Sequence, residues 1–159
     1  MIGENYLKLI MGTHYKGNKK EINALNTYIK LIRAAESVRT RINELIIKKG
    51  LTESQFNALD ALYHLGSLNQ KELGDKLFRT GGNITLVIDN LEKQKLVKRE
   101  RGEDRRCFTL HMTNKGMSLF ESIFPEELKL IIEETNLLNE KEQAQLQKFC
   151  KILGLKKRD

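Results

Sequence analysis

The chain has 159 residues, 40% hydrophobic and 31% charged, with a single proline and 28 Lys and Arg against 21 Asp and Glu, a net charge of +7. That length holds one domain with a real core, or one domain plus an oligomerisation arm, and the basic surplus suits a polyanionic partner. The apolar runs are too short to cross a bilayer, and "MIGENYLKLI" carries Glu4 and Lys8 inside its apolar part, which makes a poor signal peptide; a cytoplasmic protein that avoids membranes is expected.

In chain order, Ile22, Leu25, Ile29, Ile32, Val38, Ile42, Leu45 and Ile46 fall near helical spacing and predict a long helix over residues 21–49, ended by Gly50. Thr52 with Gln55 forms a capping box for a second helix with Phe56, Leu59, Leu62 and Tyr63 inward, stopped at Gly66. Asn69 with Glu72 opens a third, with Leu73 and Leu77 inward and the small Gly74 suiting a close helix crossing. Thr80 is placed as the cap of a fourth, over residues 81–94, burying Ile84, Val87, Ile88 and Leu91. A hairpin follows, residues 97–101 and 106–112, with Phe108, Leu110 and Met112 inward and Cys107, Thr109 and His111 outward. Thr113 caps a helix over residues 114–136, which Pro125 should kink or break. Asn139 with Glu142 starts a last amphipathic helix carrying Leu146, Phe149, Cys150 and Leu153, stopped by Gly154 and followed by the basic tail Lys156-Lys157-Arg158.

Two short helices joined by a tight turn and followed directly by a hairpin make a winged helix-turn-helix. The expected fold is mostly α with a small β-hairpin wing, flanked by long dimerisation helices: residues 1–20 an N-terminal extension, 21–50 a dimerisation helix, 51–113 the DNA-binding domain, and 114–159 C-terminal dimerisation helices. The stretch "VKRERGEDRRCF" packs five basic and three acidic side chains into the hairpin. A wing tip that meets phosphates and a narrow minor groove needs arginine. Asp104 can hold a neighbouring arginine in one rotamer, whereas Glu100 and Glu103 read as solvated surface charges.

From Gly82 to Gly116 the chain, "GNITLVIDNLEKQKLVKRERGEDRRCFTLHMTNKG", resembles the MarR family of bacterial transcription regulators, a resemblance that extends over residues 21–153. It is carried by Ile88-Asp89-Asn90-Leu91-Glu92 in the recognition helix, the Lys95-Leu96-Val97 turn, Asp104-Arg105-Arg106 in the wing and the Met112-Thr113-Asn114-Lys115-Gly116 step into the next helix. The resemblance implies a homodimer on a pseudo-palindromic operator in double-stranded DNA, its first and last helices interleaved. It implies that Asp104 orients, that Arg106 inserts into the minor groove, and that Arg105 lies nearer phosphate. Many relatives carry arginine where Leu86 stands, so an arginine–guanine contact is missing here. Helical geometry places Gly82, Thr85, Leu86, Asp89 and Lys93 opposite the buried face of the recognition helix. The candidate DNA contacts are Asn69, Gln70, Lys71, Thr80, Gly82, Asn83, Thr85, Leu86, Lys93, Asp104, Arg105 and Arg106. Lys95 and Lys98 are further lysines in reach of phosphate.

An enzyme finds little support. "GTHYKGNK" spaces its glycines as a phosphate-binding loop does, but Asn18 replaces the lysine and no strand precedes it; no nucleophile elbow, HExxH or carboxylate cluster appears. His14, His64 and His111 are scattered, so neither a metal nor a cofactor is expected. A winged helix that binds only protein is a rival, since the fold alone does not decide. The expected function is a DNA-binding transcription regulator acting as a repressor released by a small apolar or aromatic effector. Tyr28, Ile32, Phe56, Leu59 and Phe120 are candidate lining residues for that ligand. Thiol oxidation at Cys107 or Cys150 is the alternative signal, and inert thiols in a reducing compartment are the plain reading of both.

Overall fold

Six helices and three strands make up the described part of the chain, which in this computed structural model comprises residues 12–77, 81–101 and 108–155, with backbone alone at 81–83. In chain order they are α1 (Lys19–Lys48), α2 (Glu53–Leu65), β1 (Leu68–Asn69), α3 (Gln70–Lys76), α4 (Gly81–Lys93), β2 (Val97–Arg101), β3 (Phe108–Met112), α5 (Asn114–Thr135) and α6 (Glu140–Gly154). Contacts divide the chain into two units, Met1–Glu44 and Leu45–Asp159.

In the first unit α1 starts at Lys19, two residues before the expected position, because Asn18 and Glu21 form a capping box that sequence inspection missed. The Asn18 side-chain oxygen accepts from the Glu21 amide at 3.0 Å, and the Asn18 amide donates to the Glu21 carboxylate at 2.9 Å. The far end of α1 closes as a Schellman motif: Gly50 adopts φ 82°, the Leu51 amide bonds the Ile46 carbonyl and the Gly50 amide bonds that of Ile47.

The second unit holds the core. Phe56, Leu59, Leu73, Ile84, Ile88, Leu91, Leu96, Leu110, Phe120 and Ile123 are fully buried. The boxes on α2, α3 and α6 form as their sequences require, and Thr113 caps α5. Leu68 and Asn69 add an edge strand that periodicity could not reveal, giving a three-stranded antiparallel sheet in the order β1-β3-β2. Within the hairpin Val97 pairs with Met112 and Arg101 with Phe108.

Two expectations change. Pro125 does not break α5, which runs unbroken from Asn114 to Thr135. The proline removes one backbone donor, whose acceptor would be the carbonyl of the exposed Glu121, while Phe120, Ile123 and Phe124 just before it pack against the core. Phe108 does not point into the core: Leu110 is buried, but Phe108 lies past the end of the short strand β1 and is 43% exposed. The last helix, α6, ends at Gly154 as expected, with Leu155 as its cap.

One junction ties the recognition helix, the wing and α5 together. Lys95, in the left-handed region at φ 60°, ends α4: the Leu96 amide bonds the Leu91 carbonyl and the Lys95 amide bonds that of Glu92. The Leu96 carbonyl then accepts from the Thr113 amide at 3.0 Å, while the Thr113 hydroxyl donates to the Lys95 carbonyl at 2.8 Å and lies 3.2 Å from that of Leu96. Gly116 lies so close that a methyl group there would overlap the Leu96 carbonyl oxygen and come within 3.0 Å of the Met112 side chain. Gly116→Ala should therefore destabilise the protein by about 3 kcal/mol, since backbone cannot yield as a side chain can, and a thermal melt should show a drop of several degrees.

The seam between α2 and α5 is aromatic. Phe120 stacks on Phe56 and Phe124 at centroid distances of 5.3 and 5.2 Å, and the His64 ring meets Phe124 edge-on at 5.4 Å. Tyr63 packs 4.7 Å from Phe120 and donates its hydroxyl to Glu121, which holds the phenol above its ordinary pKa. On the same two helices burial pushes Glu127 up to about 7, with the charge of Asp60 adding to it. Asp60 is itself raised by burial, although His64, 3.5 Å away, pulls it back down. A carboxyl whose folded pKa lies above its unfolded one favours the folded state while protonated and loses that advantage as pH rises to and past the folded value. Stability should accordingly fall between about pH 4.5 and 7. Glu127→Gln should flatten that fall, with the variant the more stable at pH 8 and the difference fading below pH 4.5 in urea titrations.

Candidate nucleic-acid interface

Helix α4 presents two faces. Ile84, Ile88 and Leu91 are buried, and Val87 packs against the same core. On the far side Leu86 is 59% exposed and Lys93 is exposed, as helical spacing requires. The turn into the helix pair is organised from α3. Asn69 spends its side-chain oxygen on the Glu72 amide, 2.9 Å away, as the cap of α3. Gln70, the first residue of α3, donates its amide to the Thr85 hydroxyl at 2.7 Å. Two candidate contacts from different helices are thus joined, and Lys71 beside them is exposed. Gly82 and Asn83 lie in the first turn of α4 with their side chains outside the described residues, and Thr80, Asp104, Arg105, Arg106 and Cys107 lie wholly outside them.

The feature that sequence reading missed is Arg99, in β2. Its guanidinium donates to Asp89 at 2.6 Å and to Glu92, and its backbone amide donates to Glu92 at 3.0 Å. One arginine thereby fastens the wing strand to the outer side of the recognition helix. Asp89 therefore turns toward the wing root. The pairing also offsets part of the negative charge that Asp89 and Glu92 would bring toward phosphate. Sequence carried only a weak signal, an acidic pair spaced i and i+3 ahead of a strand with an arginine.

Glu100 is exposed, as its reading as a solvated charge requires, and it is also paired. It bonds Lys98, whose hydrogen bond and charge hold its carboxyl below the usual range, with His111 adding to the effect at 3.4 Å. His111 bonds Ser67 on its other ring nitrogen at 2.7 Å. The run Ser67–His111–Glu100–Lys98 so crosses the base of the sheet, and Lys98 is a paired residue.

The ligand candidates divide. Phe56, Leu59 and Phe120 fill the core of the second unit, whereas Tyr28 and Ile32 are exposed on α1 in the first. Cys150 is exposed on α6, none of whose residues is buried. Among the described residues no group of side chains could hold a metal ion, and no helix is long and apolar enough to cross a membrane.

Arg99 is three-quarters buried while its partners are more open, so solvent discounts the pairing. Arg99→Ala should cost about 1–2 kcal/mol in urea denaturation and also weaken DNA binding, because the wing loses its root. Arg99→Lys should recover only part of both, since an ammonium cannot fork between two carboxylates. An alanine variant indistinguishable from the parent in both measurements would show that the cluster contributes nothing.

This geometry, a helix-turn-helix with a wing rooted on its recognition helix, recurs in known proteins. The MarR family model matches residues 51–108. The HTH-type transcriptional regulator MhqR of Bacillus subtilis is 35% identical over 133 residues, covering 83% of this chain and 92% of its own. The structure of Sco3205, a MarR family transcriptional regulator from Streptomyces coelicolor in complex with DNA, superposes with a TM-score of 0.79 at 18% identity, over 90% of this chain and 91% of that one. Bordetella bronchiseptica BpsR, whose DNA binding is regulated by 6-hydroxynicotinic acid, superposes with a TM-score of 0.67 at 19% identity, over 79% and 98%. With its wing, its recognition helix and its likeness to MhqR over most of both chains, this chain belongs to the MarR family and is a DNA-binding transcription regulator.

Proposed function

We propose that this regulator is a cytoplasmic repressor that binds a pseudo-palindromic operator as a two-fold dimer and is released by a small apolar or aromatic ligand. The observation that carries the dimer is the state of α6: Leu146, Phe149, Ile152 and Leu153 are each about half exposed, an apolar stripe that the single chain leaves uncovered. Tyr28 and Ile32 leave a similar stripe on α1. Dimerisation is assigned to residues 21–50 and 114–159, and DNA reading to 51–113. Two recognition helices held about 34 Å apart by such a dimer meet successive major grooves on one side of the duplex.

Within the reading head, Arg106 enters the minor groove and Asp104 orients it. The ligand acts by binding better to a dimer whose heads are misplaced, so its effect is limited to that difference in affinity. Regulation of BpsR by an aromatic acid supports this class of effector.

The test is an anisotropy titration of a duplex selected from random DNA by the purified protein, over a range of salt. Saturation at two chains per duplex and a steep loss of affinity with salt are expected. Arg106→Ala should cost about 1–3 kcal/mol, and Asp104→Ala should also weaken binding although it removes a negative charge. Tighter binding by Asp104→Ala would mean simple charge repulsion instead. For the ligand, 6-hydroxynicotinic acid and simple phenols are the probes: a ligand that weakens DNA binding must itself bind more weakly, by the same factor, to the DNA-bound protein.

A further inference from the structure

We propose that Leu86 is a specificity residue that reads the C5-methyl group of a thymine in the major groove. The inference rests on α4 being the recognition helix. An exposed leucine is in itself ordinary. Its neighbours make this one informative. Leu86 stands two residues from both Ile84 and Ile88, so it points away from the core that buries them, and it is 59% exposed. Gly82, one turn earlier on the same face, has no side chain to hold a base edge away. Asp89, one turn later, is drawn aside by Arg99 at 2.6 Å. Thr85 is bonded to Gln70. Lys93, two turns on along the same face, is exposed and placed to meet phosphate. Leu86 is therefore the aliphatic centre of the outward face, with the gap at Gly82 before it and Asn90 and Lys93 after it.

The chemistry of the groove then selects the partner. Guanine, adenine and cytosine present donors and acceptors at their major-groove edges, and leucine pressed against any of them strips water from a polar group without replacing its hydrogen bond. Thymine alone presents an apolar group there, its methyl. Packing Leu86 on that methyl removes apolar surface from water on both sides.

Deoxyuridine tests the contact because it keeps every hydrogen-bonding group of thymine and lacks only the methyl. In a duplex selected from random DNA by the purified protein, each thymine is replaced in turn by deoxyuridine. The parent protein should lose about fourfold in affinity at one thymine per half-site, the factor that burying a single methyl group supplies. Leu86→Ala should bind the unmodified duplex more weakly by a similar factor and be indifferent to that replacement, whereas Leu86→Met should retain the sensitivity. Leu86 is exposed, so both variants should melt as the parent does. Insensitivity of the parent at every thymine, or undiminished sensitivity in Leu86→Ala, would overturn the proposal and leave DNA binding intact. A selection that returned no sequence preference would overturn the operator reading along with it.

Discussion

The carbonyl group of Leu96 is the point through which the reading head is assembled. The strand that leaves the recognition helix and the helix that follows the wing must both pass it, and they do so within hydrogen-bonding distance of each other. The approach is possible because Gly116 has no side chain and because Lys95 accepts a left-handed conformation, which costs a non-glycine residue about 1 kcal/mol. In return α4, both wing strands and α5 share one anchor. The orientation of the wing relative to the recognition helix is thus set by backbone before any long side chain contributes.

Arg99 completes the arrangement farther out along β2. Its two carboxylate partners lie on α4, so wing and helix are joined at both the turn and the strand. This has an electrostatic consequence. A helix that must lie against a polyanion carries Asp89 and Glu92 on its outer side, and their charges are met within the protein by a cation that is itself largely buried. In the proposed reading, phosphate contacts fall to exposed lysines and the wing tip and base discrimination to Leu86, the division expected where phosphate contacts position and base contacts specify.

The two ends of the chain follow a different logic. The core of the second unit closes over α2 to α5 with its largest side chains fully buried, and α6 adds none to it. An amphipathic helix with no buried residue has no reason to persist by propensity alone at this length. Its apolar stripe is the surface that the proposed dimer would cover.

Much of this was legible in the sequence because it depends on local rules. Capping boxes at Thr52, Asn69 and Asn139 and the inward face of α4 are set by spacings of two to four residues, and each appears where those spacings place it. Family resemblance carried the function, since its motifs span the recognition helix and wing. What only the tertiary structure decided involves residues far apart in sequence or competing with a local rule. Periodicity turns Phe108 inward, yet it lies beyond the strand that would cover it. Pro125 removes one backbone donor, yet the helix runs through it, anchored on the core by the side chains just before it. The role of Arg99 and the pairing of Glu100 could not be read from a run of eight charges, because a sequence gives the sign of each charge but not the distance between them, and distance decides which ones pair.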